Sequence, residues 1–124
     1  MSLSSAVLAE FGQSLGIADL QWPPSKRLTL SFDLRGTLYL EDRDETLLMY
    51  LVRPIDPGKP LGAVLKSALQ YCHYRQGLPF TVQPGLRGDT DLVFLVRLSS
   101  RSANLPDMER ILETLTTLHN AVQA

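Results

Sequence analysis

Few residues of this 124-residue chain have the type and spacing that chemistry requires. The chain has two histidines, His73 and His119, and a single cysteine, Cys72. Cys72 and His73 are adjacent, and neighbours on a helix point about 100° apart, so they do not form a nucleophile–base dyad. His73 falls on the polar strip of its helix and reads as solvated. His119 flanks the apolar face of the last helix beside Leu115 and Leu118 and reads as a boundary residue. Asp42, Asp44 and Glu45 are oxygen donors for a hard cation, but they lack the twelve-residue spacing and internal glycine of a calcium loop, and read as an acidic hairpin tip. Gly58-Lys59 stands ahead of a helix without the upstream glycine or the following Ser/Thr of a phosphate loop. Arg87-Gly88-Asp89 reads as a turn. Zinc-ligand spacing, a nucleophile elbow and a dinucleotide fingerprint do not occur. The expectation is a binding protein with no catalytic residue, no cofactor and no metal.

The whole-chain quantities agree with this. Twelve basic and 13 acidic residues give a net charge of −1, spread evenly, which provides no electrostatic footprint for nucleic acid or an anionic membrane. An apolar fraction of 44% over this length suffices for one compact core, so a single domain over 1–124 is expected. No apolar run approaches the ~20 residues of a membrane helix. The N-terminus has no basic region ahead of an apolar run, and the lone cysteine suits a reducing compartment. A soluble, cytoplasmic protein is expected.

The elements follow from periodicity. Val7, Leu8, Phe11 and Leu15 mark an amphipathic helix over Ser4–Leu15, stopped by Gly16. Trp22-Pro23-Pro24 is extended, and Trp22 is expected to pack over the edge of the domain. From Arg27 the period changes to two, predicting strands around Leu28–Phe32, Thr37–Glu41 and Thr46–Arg53. Turns fall at Asp33–Gly36, with the glycine at positive φ, and at Asp42–Glu45. The third strand and the later Asp91–Leu98 are apolar at consecutive positions and are expected to be central and covered on both faces. A short edge strand is predicted over Leu78–Gln83, closed by Pro84-Gly85. Pro106 and Asp107 start a last helix whose stripe is Met108, Ile111, Leu112, Leu115, Leu118 and Val122. The order is α-βββ-α-ββ-α, an α+β fold with a twisted antiparallel five-stranded sheet packed with three helices.

The middle helix, from Leu61 behind Pro60 through Tyr74 to an end at Gly77, asks most of the rest. Leu61, Val64, Leu65, Ala68, Leu69 and Cys72 form one stripe, which Tyr71, Ser67, Tyr74 and Ala63 continue around the cylinder. A surface helix needs an apolar arc of little more than ~100°, and this one offers more than half its circumference. The excess predicts a second partner beyond the helix's own sheet, and in so short a chain that partner is another molecule. A carboxylate at Val64 is expected to abolish pairing.

The segments Phe11-Gly12-Gln13-Ser14-Leu15-Gly16-Ile17, Gly36-Thr37-Leu38-Tyr39-Leu40-Glu41, Leu51-Val52-Arg53, Gly77-Leu78-Pro79 and Leu92–Leu98, with Arg101-Ser102 and Leu105-Pro106, stand in an order and spacing that resembles the small class I chaperones of bacterial type III secretion, within them the SycN type. The resemblance spans nearly the whole chain and rests on structural residues. The chain departs from the wider class, often markedly acidic, in being near neutral, which points to recognition mainly through apolar contact. The resemblance implies a dimer through the middle helix and a neighbouring strand, formed with a YscB-like chaperone subunit. It also implies an extended N-terminal segment of a YopN-like gatekeeper as client, kept secretion-competent while the channel is held shut, and no nucleotide. The dimer contact is expected at Leu61, Val64, Leu65, Ala68, Leu69 and Tyr71. The client groove is expected at Val7, Phe11, Leu28 and Leu30, with backbone pairing along an edge strand. Cytoplasmic localisation extends on this reading to the inner face of the membrane beside the secretion apparatus. A homodimer in isolation, a homodimeric class I chaperone for another secreted effector, and a monomeric α+β adaptor are the alternatives at this point.

Overall fold

The computed structural model of the protein describes residues 5–73 and 77–123. Its elements are α1 (Ser5–Ser14), β1 (Arg27–Phe32), β2 (Gly36–Arg43), β3 (Thr46–Pro54), α2 (Leu61–Tyr71), β4 (Gln83–Arg87), β5 (Asp91–Ser99) and α3 (Leu105–Val122). The strands form one antiparallel sheet in the order β1-β2-β3-β5-β4. The α+β fold expected from the sequence is present, and β3 occupies the middle of the sheet.

Alternation along the strands sends every second side chain to one face. Leu38, Leu40, Leu47, Met49, Leu51, Leu92, Phe94 and Val96 are buried there. The helices cover this face. α3 packs on β3 and β5, α1 and α2 both pack on α3, and α2 also reaches β4. The stripe Met108, Ile111, Leu112, Leu115, Leu118 and Val122 is buried in full, as its spacing predicts. Asn104 caps α3, its side chain accepting from the Asp107 amide at 2.9 Å with Pro106 behind it in the first turn.

Three local expectations are corrected. The fourth strand is not Leu78–Gln83 but Gln83–Arg87, and it runs through Pro84 and Gly85. Pro84 is tolerated because β4 lies at the sheet edge, where a missing N–H costs no inner ladder bond. Phe80 and Val82 instead pack against the core from an irregular segment. The second strand extends through Asp42 and Arg43, leaving a two-residue turn of Asp44 and Glu45, both at positive φ. The middle helix ends at Tyr71, with Cys72 as its C-cap, and does not run to Gly77; Tyr74 lies outside the described residues.

Gly36 shows why the β1–β2 turn needs glycine. Its φ is +110°, and a Cβ there would sit 2.4 Å from the Val52 carbonyl oxygen. Arg53 closes the same turn, donating from Nε and Nη2 to the Arg35 carbonyl at 3.1 and 2.9 Å, with Nη1 on Asn120 of α3 at 2.8 Å.

Candidate functional site: the outward face of α2 and the β1 edge

α2 divides its apolar circumference between two environments. Val64 and Ala68 are 3% and 0% exposed inside the protomer's own core, so neither reaches an intermolecular surface. The sequence wheel placed them in the outward contact because a stripe alone does not say which of its edges meets the sheet. Leu69 and Tyr71 stand outward, 61% and 40% exposed, with Leu61 exposed and Leu65 half-buried beside them. Leu65, Leu69 and Tyr71 border a broad depression of about 1060 Å³ that Gly62, Lys66 and Gln70 also line. Four of the six residues expected at this contact therefore lie where a partner could meet them.

The expected client groove divides in the same way. Phe11 is wholly buried and Leu30 nearly so, both as core residues. Val7 and Leu28 are half-buried against the core rim. Phe32, two residues beyond Leu30 and so on the same face, is half-buried with them. The period-two alternation of Leu28, Leu30 and Phe32 in the sequence carries that signal.

The candidates for chemistry do not converge. The Cys72 thiol is half-buried, and burial pushes its pKa up to about 11, which keeps it protonated. His73 is exposed, while His119 is fully buried in α3, against the sequence reading of a boundary residue. Its Nε2 lies 2.8 Å from the Leu51 carbonyl, and its ring meets Phe94 edge-on at 4.7 Å. Asp42 is buried and accepts from Ser100 Oγ at 2.9 Å, which ties the β2 end to the chain after β5. Among the described residues no group of three His, Cys, Asp or Glu side chains could hold a metal ion, and no helix is long and apolar enough to cross a membrane.

This architecture is shared with solved chaperone structures of type III secretion. A chain of the HopA1–SchA chaperone–effector complex matches with a TM-score of 0.72 over 96% of this chain and 92% of its own, at 17% identity. A chain from the complex of the Yersinia pestis type III secretion chaperone SycH with a stable fragment of YscM2 matches with a TM-score of 0.68 over 94% and 98%, at 14% identity. At those identities the likeness shows the fold. The sequence goes further: the family described as type III secretory system chaperone SycN matches residues 4–123. The chain is also 30% identical to the chaperone protein SycN of Yersinia enterocolitica, over 100% of this chain and 99% of that one. The chain belongs to the SycN family of type III secretion chaperones.

Proposed function

We propose that this protein is one subunit of a heterodimeric secretion chaperone. It pairs with a YscB-like subunit through the outward face of α2 and holds the extended N-terminal segment of a YopN-like gatekeeper. The observation behind the pairing is the α2 face itself. Leu61, Leu69 and Tyr71 leave apolar area in water on a helix whose other side is already core. Full burial of an exposed leucine is worth roughly 1.5–3 kcal/mol, and the part still open on each of these side chains, largest on Leu69, favours a partner in proportion. β4 lies beside α2.

The client's extended backbone pairs along β1. Of the two free edges, β4 has five residues and includes Pro84, which removes a donor, whereas β1 has six and no proline. Val7, Leu28 and Phe32 offer the client's apolar side chains partly open positions. The work is binding alone, in the bacterial cytoplasm and beside the secretion apparatus, and one chaperone domain suffices for it. Affinity has to exceed the ordering entropy of an unfolded segment, so it rests on apolar burial.

Co-expression with a YscB-like subunit and a gatekeeper N-terminal fragment, followed by size exclusion with light scattering, tests the reading. A heterodimer that carries the fragment is expected. A protein that stays strictly monomeric with both supplied refutes it.

A further inference from the structure

The face of the sheet turned away from the helices is uncovered among the described residues, although β3 and β5 are apolar on both sides. Both-face apolarity in a central strand led to the expectation of cover on each side. Here the second cover is missing. Tyr39 and Tyr50 face each other across β2 and β3 on this side and stack, with centroids 5.0 Å apart and planes 8° from parallel. The Arg87 guanidinium lies 5.1 Å from the Tyr39 ring centre and donates to its hydroxyl. A concavity of about 570 Å³ opens over these residues, with Thr29, Val52 and Val93 along its walls.

Charge on this face is lopsided. Strand alternation puts Arg27, Arg43, Arg87 and Arg97 here against two carboxylates, Glu41 and Asp91, in a chain whose net charge is −1. Glu41 is already committed. Its side chain is 8% exposed, Arg27 and Arg43 share its Oε1 at 3.1 and 3.5 Å, and the Tyr50 hydroxyl donates to its other oxygen. Among the described residues, Arg87 and Arg97 have no carboxylate within salt-bridge distance.

We propose that this open face seats an acidic peptide segment, with apolar or aromatic side chains on the tyrosine floor and carboxylates meeting Arg87 and Arg97. The inference rests on the chaperone reading in taking that segment from the client. A second copy of this chain is the poorer occupant, because a two-fold contact would set arginines against arginines. Single-stranded nucleic acid is disfavoured, since the chain lacks a basic excess.

The probes are two synthetic peptides with the same alternating Leu and Phe positions, one carrying Glu and the other Lys between them. They are titrated into the full-length protein labelled for amide NMR. The Glu peptide is expected to bind at least ~10-fold more tightly, with shifts at Thr29, Tyr39, Tyr50, Val52 and Val93. Arg87→Glu/Arg97→Glu should reverse the preference, and Arg87→Gln/Arg97→Gln, a milder change to the fold, should abolish it. Equal binding of both peptides, no binding, or shifts confined to α2 or β1 would overturn the proposal. The two readings fail separately. If the wild-type protein forms the heterodimer with client and the double glutamate variant holds that client equally well, the open-face site is wrong while the chaperone reading stands.

Discussion

Lowering the pH should loosen this protein through one buried side chain, His119. Burial disfavours its charged form and drives its pKa down to about 4, despite the opposing hydrogen bond to the Leu51 carbonyl; the positive charge of Arg53 lowers it further. Geometry explains the direction. Nε2–H serves the Leu51 carbonyl, while Nδ1 is buried without a hydrogen-bond partner, so a second proton would have nowhere to donate. In the unfolded chain the same imidazole titrates near its ordinary ~6.5. The unfolded state therefore binds more protons throughout the window from 6.5 down to 4, and stability falls as pH is lowered through it. The full difference is about 3 kcal/mol, of which about 2 kcal/mol is lost between pH 7 and pH 5. Against a total of ~5–15 kcal/mol for a domain, that is a large fraction. Urea unfolding followed by circular dichroism at a series of pH values measures it, with the midpoint expected to fall by about 1 M between pH 7 and pH 5. Carboxylates titrate in part of the same range, so the control is His119→Gln, which cannot take up the proton. The wild-type curve should steepen relative to the variant's between pH 6.5 and pH 4. Parallel curves would show that the ring is already charged, or reaches water, in the folded protein.

Other consequences follow from the same coordinates. Leu69→Asp, on the outward face of α2, should leave thermal unfolding within about 0.5 kcal/mol of wild type and abolish pairing with a YscB-like subunit in light scattering. Val64→Asp should instead destabilise the isolated protomer by several kcal/mol, because it buries an unpaired carboxylate in its own core; a stable Val64→Asp protomer that fails only to pair would reinstate Val64 as a contact residue. Gly36→Ala should cost about 1–3 kcal/mol in urea unfolding, from positive φ and the approach of the Val52 carbonyl oxygen. Arg53→Lys keeps the charge and loses the forked contact with the Arg35 carbonyl, so amides of the 33–35 turn should exchange faster and stability should fall by about 1 kcal/mol.

What could be read from the sequence, and what could not, follows from how far each signal reaches. The core stripe of α3 was legible because a one-sided stripe of 3.6-residue period has only one way to face a sheet, and Asn104 with Pro106 marks its start. The β1–β2–β3 meander was legible because period-two alternation and a glycine at positive φ are local features. β4 was misplaced because proline and glycine end most strands, and only a sheet's strand order reveals that this one is an edge. His119 looked like a boundary residue because the wheel sees α3 alone, whereas its burial comes from Leu51 on β3 and Phe94 on β5.

In α2 the six expected contact residues divide between two environments, four turned outward and Val64 and Ala68 turned into the core. Its apolar arc is too wide for one partner, and the fold does leave part of it bare. The division falls between Val64 with Ala68 inside and Leu69 with Tyr71 outside, a rotation that depends on how α3 and β4 meet the helix. The same excess recurs in β3 and β5, whose second face carries Tyr50, Val93 and Leu95 with no helix over it among the described residues. Two surfaces, one on α2 and one across β3 and β5, thus have more apolar area than the described residues cover, on different sides of the sheet. On the proposed function, holding both a sister chaperone and an unfolded client needs two such surfaces, and a single substitution can separate them. Leu69→Asp should remove pairing while leaving the Glu peptide's binding to the open face intact, and loss of both together would mean that the surfaces are not independent.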